Sequence, residues 1–199
     1  MNTEVISEEA EAACRLLNET LANHRVVIRA LHQMHRRSRL TAVLDREQLQ
    51  RHSTLVRLLT ITESFAVERL TQFVEPWANG GTLHVREYWS AAVNSETNSW
   101  NGIRDSYKRW VGPATKAPEW GHPLGYAEAR NAVAHGLGKL TRRQAATSRK
   151  RNATVAALAN VEIVPTDDND IKIDEETLNK AVTQLCKFIA SLDRTVPEA

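Results

Sequence analysis

The sequence predicts an all-α fold, a helical bundle whose one interruption is a small β-hairpin before the C-terminal helix. Three observations predict it. Apolar residues recur every three to four positions over long stretches. Glycine and proline gather at Asn79-Gly80-Gly81, Gly112-Pro113, Ala117-Pro118 and His122-Pro123, where they mark loops. Strand-like alternation is confined to 161–164 and 171–174. With 199 residues the chain is expected to form one well-buried core and a single domain.

The elements follow in order. Ser7, followed by Glu8 and Glu9, is expected to cap a first helix with acidic residues favoured by the helix dipole. Leu16, Leu17, Leu21, Val27, Ile28, Leu31 and Met34 carry that helix to about Arg37, and a polar link through Thr41 to Asp45 ends it. A second long helix is expected from Asp45 to Pro76, where proline terminates it. Short helices are expected at Val85–Val93 and Trp100–Val111. A further helix should start near Gly125 and close at Gly136 or Gly138, since glycine commonly ends helices. Thr141 is expected to cap a helix reaching Ala159. Val161-Glu-Ile-Val164 and Ile171-Lys-Ile-Asp174 alternate as a hairpin about the turn Pro165 to Asp170. The last helix is expected from Asp174 to Leu192, with Leu178, Ala181, Val182, Leu185, Phe188, Ile189 and Leu192 on one face.

Composition bounds the function. The chain is 42% hydrophobic and 25% charged, the balance of a globular protein rather than a disordered tail. A net charge of +2 is too small to imply nucleic acid, but its distribution is uneven. No acidic residue occurs between Arg130 and Val161, while Lys139, Arg142, Arg143, Arg149, Lys150 and Arg151 all fall there. An acidic tail follows from Glu162. Cys14 and Cys186 lie near opposite ends without a CxxC partner, so two reduced thiols are expected. No apolar run approaches the roughly 20 residues of a membrane helix. The acidic start of the chain lacks the features of a signal peptide, and a cytoplasmic protein is expected.

The segment Glu128-Ala-Arg-Asn-Ala-Val-Ala-His-Gly-Leu-Gly-Lys139 carries the chemistry. On a helix Asn131 and His135 lie about 40° apart, whereas Arg130 is about 140° round from His135. Short side chains cannot close a tight triad from these positions, although the long Arg130 guanidinium can curve toward His135, and a cleft formed with a second helix, or with a second copy of the same helix, suits the three better. Histidine titrates near neutrality and suits proton transfer. Arginine stays charged and binds phosphate through two parallel hydrogen bonds. Spacing alone equally describes a surface histidine and a solvated arginine.

Arg130-Asn-Ala-Val-Ala-His135 resembles the R-x4-6-H motif of the HEPN superfamily, in its R-N-x-x-x-H form. Two long N-terminal helices, a late motif helix, a short hairpin and a closing helix agree with that family's pattern. The resemblance implies a HEPN-like bundle and a metal-independent endoribonuclease acting as a homodimer, with motif helices from both subunits lining one cleft. It implies His135 as acid or base, Arg130 as phosphate clamp and Asn131 as a residue orienting the histidine or touching phosphate. HEPN proteins often place a polar residue facing the motif helix, which here is Glu63, positioned to pair with Arg130. Relatives commonly serve as toxins or phage-defence effectors, so an antitoxin or sensor partner is implied. No cofactor and no metal are expected. Some relatives carry a tyrosine two residues after the histidine, which a partner nucleotidyltransferase modifies; that position is Leu137, so this route of regulation is not expected.

The remaining features are weaker. Lys139, Arg142, Arg143, Arg149, Lys150 and Arg151 are the expected RNA-binding cations, although a run such as Ser148-Arg-Lys-Arg-Asn152 is equally a solvated helix face. His24, His32 and His35 lack the HExxH pattern or matching carboxylates of a metal site. Asp167-Asp-Asn-Asp170 lacks the Gly and Glu of a calcium loop and reads as a turn. Trp77, Trp89, Trp100, Trp110 and Trp120 suit core and dimer packing better than base stacking. The main alternative is a non-catalytic module of the same fold that binds nucleotide or a partner protein. A DNA-binding regulator using 139–151 ranks last, since no helix-turn-helix arises there.

Overall fold

The computed structural model describes residues 6–37, 45–112 and 118–196. The expected link through Thr41 and the loop positions Pro113 and Ala117 lie outside them. Seven helices occur among the described residues: α1 (Glu8–Arg37), α2 (Arg46–Gly80), α3 (Leu83–Glu96), α4 (Trp100–Trp110), α5 (Gly121–Gly136), α6 (Ser148–Ala159) and α7 (Glu175–Thr195). The protein is mostly helical, as its periodicity predicts.

The centre is a layer of three long helices. α1 and α7 run antiparallel, with Ser7 meeting Asp193, Cys14 meeting Cys186 and His24 meeting Glu175. α2 lies along both, its Arg69 beside Asp193 and its Arg51 beside Glu175. The amphipathic faces explain the packing. α1 buries Ala10, Ala13, Leu17, Leu21, His24 and Ile28, at spacings of three and four. Leu16, Val27 and Met34, expected on that face, are exposed, because small Ala10 and Ala13 define the buried stripe instead. α2 buries Leu55, Leu58, Leu59, Leu70 and Val74, and α7 buries Leu178, Leu185, Phe188, Ile189 and Leu192.

The ends of this layer are tied by polar groups. Buried Asp193 accepts from the Ser7 amide (2.8 Å) and the Ser7 hydroxyl (2.9 Å), with Arg69 Nε at 3.0 Å. Ser7 Oγ meanwhile accepts from the Ala10 amide, the expected cap of α1. At the opposite end His24 is buried, its Nδ1 2.8 Å from Thr54 Oγ1 and its Nε2 2.8 Å from Glu175. Every polar group of that junction therefore finds a partner, the condition for burial without penalty.

Several helix boundaries differ from expectation. α2 continues through Pro76 to Gly80. Ala78 is fully buried, and Trp77 lies 5.9 Å from Trp110, so packing holds the turn that proline weakens. α5 begins at Gly121 rather than Gly125, with His122 and Pro123 in its first turn, where proline costs no hydrogen bond. α6 begins at Ser148, capped by the Thr147 side chain. Thr141 caps only a single turn, accepting from the Gln144 amide at 3.2 Å.

No strand forms among the described residues, and the β-hairpin is replaced by irregular chain. Alternation did identify the inward residues: Val161, Ile163, Ile171 and Ile173 are buried, with Glu162, Val164, Lys172 and Asp174 outside. The turn also forms, with the Thr166 amide donating to the Asp170 carbonyl and Asn169 at φ 63. The pairing differs. Asp170 bridges antiparallel to Lys139, the Leu140 amide donates to Asn169 and the Ile171 amide to Gly138. Chain leaving α5 thus supplies the backbone partners that the 161–164 segment was expected to give.

Candidate functional site

α5 can lie close to its neighbours because its inner face is made of small residues. Gly125, Ala129 and Ala132 are buried there, Ala127 is buried on the opposite side, and a fully buried Tyr126 donates its hydroxyl to Gln184 Oε1 at 2.7 Å. A Cβ at Gly125 would stand 2.5 Å from the Ala157 carbonyl, so α6 packs directly on the α5 backbone. α2 crosses the other flank in the antiparallel sense, with Glu63 at Arg130 and His52 at Gly138.

These helices separate Arg130 from His135. Arg130 points toward α2, its guanidinium 3.7 Å from Glu63 Oε2, an ion pair too long for a hydrogen bond. Its Nε is buried without a hydrogen-bond partner. Burial pushes the Glu63 carboxyl up from its ordinary range, and the Arg130 charge draws it part of the way back. Asn131 is half-buried. His135 is exposed on the last turn of α5, on the flank away from Glu63. Within one chain, then, Arg130 and Glu63 are brought together, and His135 is not brought to them.

The chain reverses sharply beyond His135. Leu137 adopts φ 54 and Gly138 φ 92, and both amides donate to the Ala132 carbonyl. Leu137 is 94% exposed, so an apolar side chain in a conformation that favours glycine stands in water next to the histidine. Gly138 packs against the ring of His52, which a Cβ would approach to 3.1 Å. With its amide oriented to suit its neighbours, Gln48 accepts from His52 Nε2 and the Ile173 amide, and donates to the Ile173 carbonyl. Burial lowers the His52 pKa, opposed by its backbone contact at Ile171 and by Asp45. The sequence reading missed this second imidazole beside the motif helix. Its signal was the eleven-residue spacing from Glu63, which puts the two about 20° apart on one face of α2.

The basic residues surround the exit from α5. Arg142, Arg143, Arg149, Lys150 and Arg151 are exposed. Lys139 Nζ pairs with Asp170 at 3.3 Å, and Arg151 Nε donates to Asn169 at 3.2 Å. Arg149, Lys150 and Arg151 occupy the first turn of α6, which contains no acidic residue. The helix dipole makes that end positive, so three cations there oppose local stability and intensify an anion-attracting field.

Other sequence candidates sit elsewhere. His24 is a buried crosslink and His32 pairs with Glu47 at 3.0 Å. Among the described residues no three of His, Cys, Asp and Glu gather as metal ligands. An open groove of about 350 Å³ is lined by Thr20, His24 and Val27 on α1 and by Gln50, Thr54 and Arg57 on α2, and neither Arg130 nor His135 lines it. Trp89 and Trp100 are buried, while Trp77 is exposed. Among the described residues no helix is long and apolar enough to cross a membrane. The chain matches no known family model, no curated protein and no solved structure.

Proposed function

We propose that the protein is a metal-independent endoribonuclease with a HEPN-like site, acting as a homodimer. The observation that carries the reading is the exposed His135, roughly one and a half turns from Arg130 and bordered by exposed cations in an acid-free stretch. RNA brings its own nucleophile. An imidazole takes the 2′-hydroxyl proton, the oxygen attacks the adjacent phosphorus, and the 5′-oxygen leaves with a proton. Products end in a 2′,3′-cyclic phosphate and a 5′-hydroxyl. Arg130 steadies the charged phosphorane, a contribution of roughly 10²–10³ in rate. Glu63 holds the guanidinium, and Asn131 orients His135 or touches phosphate. Lys139, Arg142, Arg143, Arg149, Lys150 and Arg151 attract the RNA backbone.

A second copy supports this chemistry better than one chain does. Arg130 and His135 face different ways on a single α5, so an Arg130 from one protomer and a His135 from its partner complete the constellation. Leu137, exposed beside the histidine, suits an apolar contact between motif helices. The cellular role we propose is that of a toxin or phage-defence effector, restrained or triggered by an antitoxin or sensor protein in the cytoplasm.

The test is cleavage of single-stranded RNA in chelator by wild type, His135→Ala and Arg130→Ala. Wild type should yield cyclic-phosphate ends. The histidine variant should lose about 10²–10⁴ in rate and the arginine variant about 10²–10³. Equal cleavage by wild type and His135→Ala removes the histidine from the reaction. A second reading, a binding module of the same fold without catalysis, draws on the divergence of Arg130 and His135 within the chain. Saturable RNA or nucleotide binding by a persistent monomer, with the RNA left intact, selects it.

A further inference from the structure

The two cysteines are 172 residues apart in sequence and meet between α1 and α7. Cys14 Sγ lies 3.8 Å from the Cys186 carbonyl, and Cys186 Sγ lies 3.9 Å from the Cys14 carbonyl. Each sulfur thus lies against the other cysteine's backbone across the helix interface. Both are only half-buried, so a small oxidant can reach them. The backbone around them is already fixed. Ser7 and Asp193 clamp the helices on one side of the pair, and His24 and Glu175 on the other. Buried Ala10 and Ala13 allow close helix approach beside Cys14. The proposed RNA chemistry uses neither sulfur.

We propose that Cys14 and Cys186 form a reversible intramolecular disulfide that staples the first helix to the last when the protein meets a peroxide. Cys186 reacts first as the thiolate. Its sulfur attacks one oxygen of hydrogen peroxide, an S–O bond forms, the O–O bond breaks, and the departing hydroxide takes up the proton that Cys186 released and becomes water. Cys14 then attacks the Cys186 sulfenic sulfur. The S–S bond forms, the S–O bond breaks, and the departing hydroxide takes the Cys14 proton to become water. Two thiols are oxidised by two electrons, and one peroxide is reduced to two waters. The order follows from the unequal acidity of the two thiols. Interaction with Cys14 lowers the Cys186 pKa, while interaction with Cys186 and burial push Cys14 up. A crosslink enclosing nearly the whole chain restricts the unfolded state strongly, which is where a disulfide exerts most of its effect.

The test treats the full chain with hydrogen peroxide, blocks remaining thiols with N-ethylmaleimide, and reads intact mass and melting temperature. The expected product is a monomer lighter by two hydrogens, without maleimide adducts, melting roughly 5–10 °C higher and reverting in dithiothreitol. Cys14→Ser should stop at a Cys186 sulfenic acid that dimedone captures, with no rise in melting temperature. Cys186→Ser should react far more slowly with peroxide. Full maleimide labelling of peroxide-treated wild type, a linkage joining two chains, or an unmoved melting temperature overturns the proposal.

Discussion

Arg130 on α5 stands 3.7 Å from Glu63 on α2, and this pair joins the motif helix to the longest helix of the bundle. Both side chains keep partial solvent contact, at 29% and 22% exposure, so water screens their attraction. Burial outweighs that attraction at Glu63, and its carboxyl holds a proton to higher pH than it would in the unfolded chain.

The first prediction follows from that sign. A carboxyl with a raised folded pKa contributes stability below its unfolded value, and the contribution is lost as pH rises through the folded value. Glu63→Gln removes this dependence. Between about pH 4 and pH 7 the melting temperature of wild type should fall relative to that of Glu63→Gln. Parallel curves for the two proteins would mean that Glu63 is as well solvated in the fold as in the unfolded chain.

Gly125 offers a packing test. A Cβ there would meet the Ala157 carbonyl at 2.5 Å and Val161 Cγ1 at 2.9 Å, and neither is a flexible side-chain end. Gly125→Ala should therefore push α6 away from α5 and cost about 1–3 kcal/mol in urea denaturation, despite alanine's better helix propensity. An unchanged or raised stability would show that α6 moves freely on α5.

The long helices were legible in the sequence because their apolar residues recur over many turns, which makes α1, α2 and α7 insensitive to local exceptions. The errors fell where long-range packing decides. Pro76 carries a strong local stop signal, yet the burial of Ala78 keeps α2 going. Ile171 and Ile173 alternate as a strand should, but alternation specifies an inward face and not a partner; the bridge went to Lys139. The candidate site was legible only in part. The ion pair between Arg130 and Glu63 was anticipated through the family resemblance alone, since nothing local to either helix specifies it. Spacing puts His52 on the Glu63 face of α2, but its contact with Gly138 and the meeting of Cys14 with Cys186 depend on how helices cross, which no local pattern encodes.

His24 is the buried polar residue on which the α1, α2 and α7 junction depends. Both ring nitrogens are engaged, at 2.8 Å from Thr54 and 2.8 Å from Glu175. His24→Ala removes the ring, leaves Glu175 without its buried partner and the Thr54 hydroxyl with only its bond to the Gln50 carbonyl, and opens a cavity. A loss of about 2–4 kcal/mol in chemical denaturation is expected, with the midpoint shifted and the slope retained. A cost under about 0.5 kcal/mol, the scale of an ordinary surface change, would contradict the structural role.

The last prediction separates anion binding from a merely solvated helix face. Arg142, Arg143, Arg149 and Lys150 are exposed, whereas Lys139 is already held by Asp170. Each phosphate contact to single-stranded RNA contributes about 0.7 to the slope of log affinity against log salt. Replacing the four exposed cations with glutamine should therefore flatten that slope by about 2–3, measured by fluorescence anisotropy across a salt series. Lys139→Gln should change it far less. The same four changes should leave the fold no weaker, because Arg149 and Lys150 oppose the dipole at the start of α6, where each cation costs about 0.3–1 kcal/mol. A stability gain together with a flattened slope identifies cations kept for binding at the expense of the helix. A stability gain with an unchanged slope places the RNA contact on another face of the bundle.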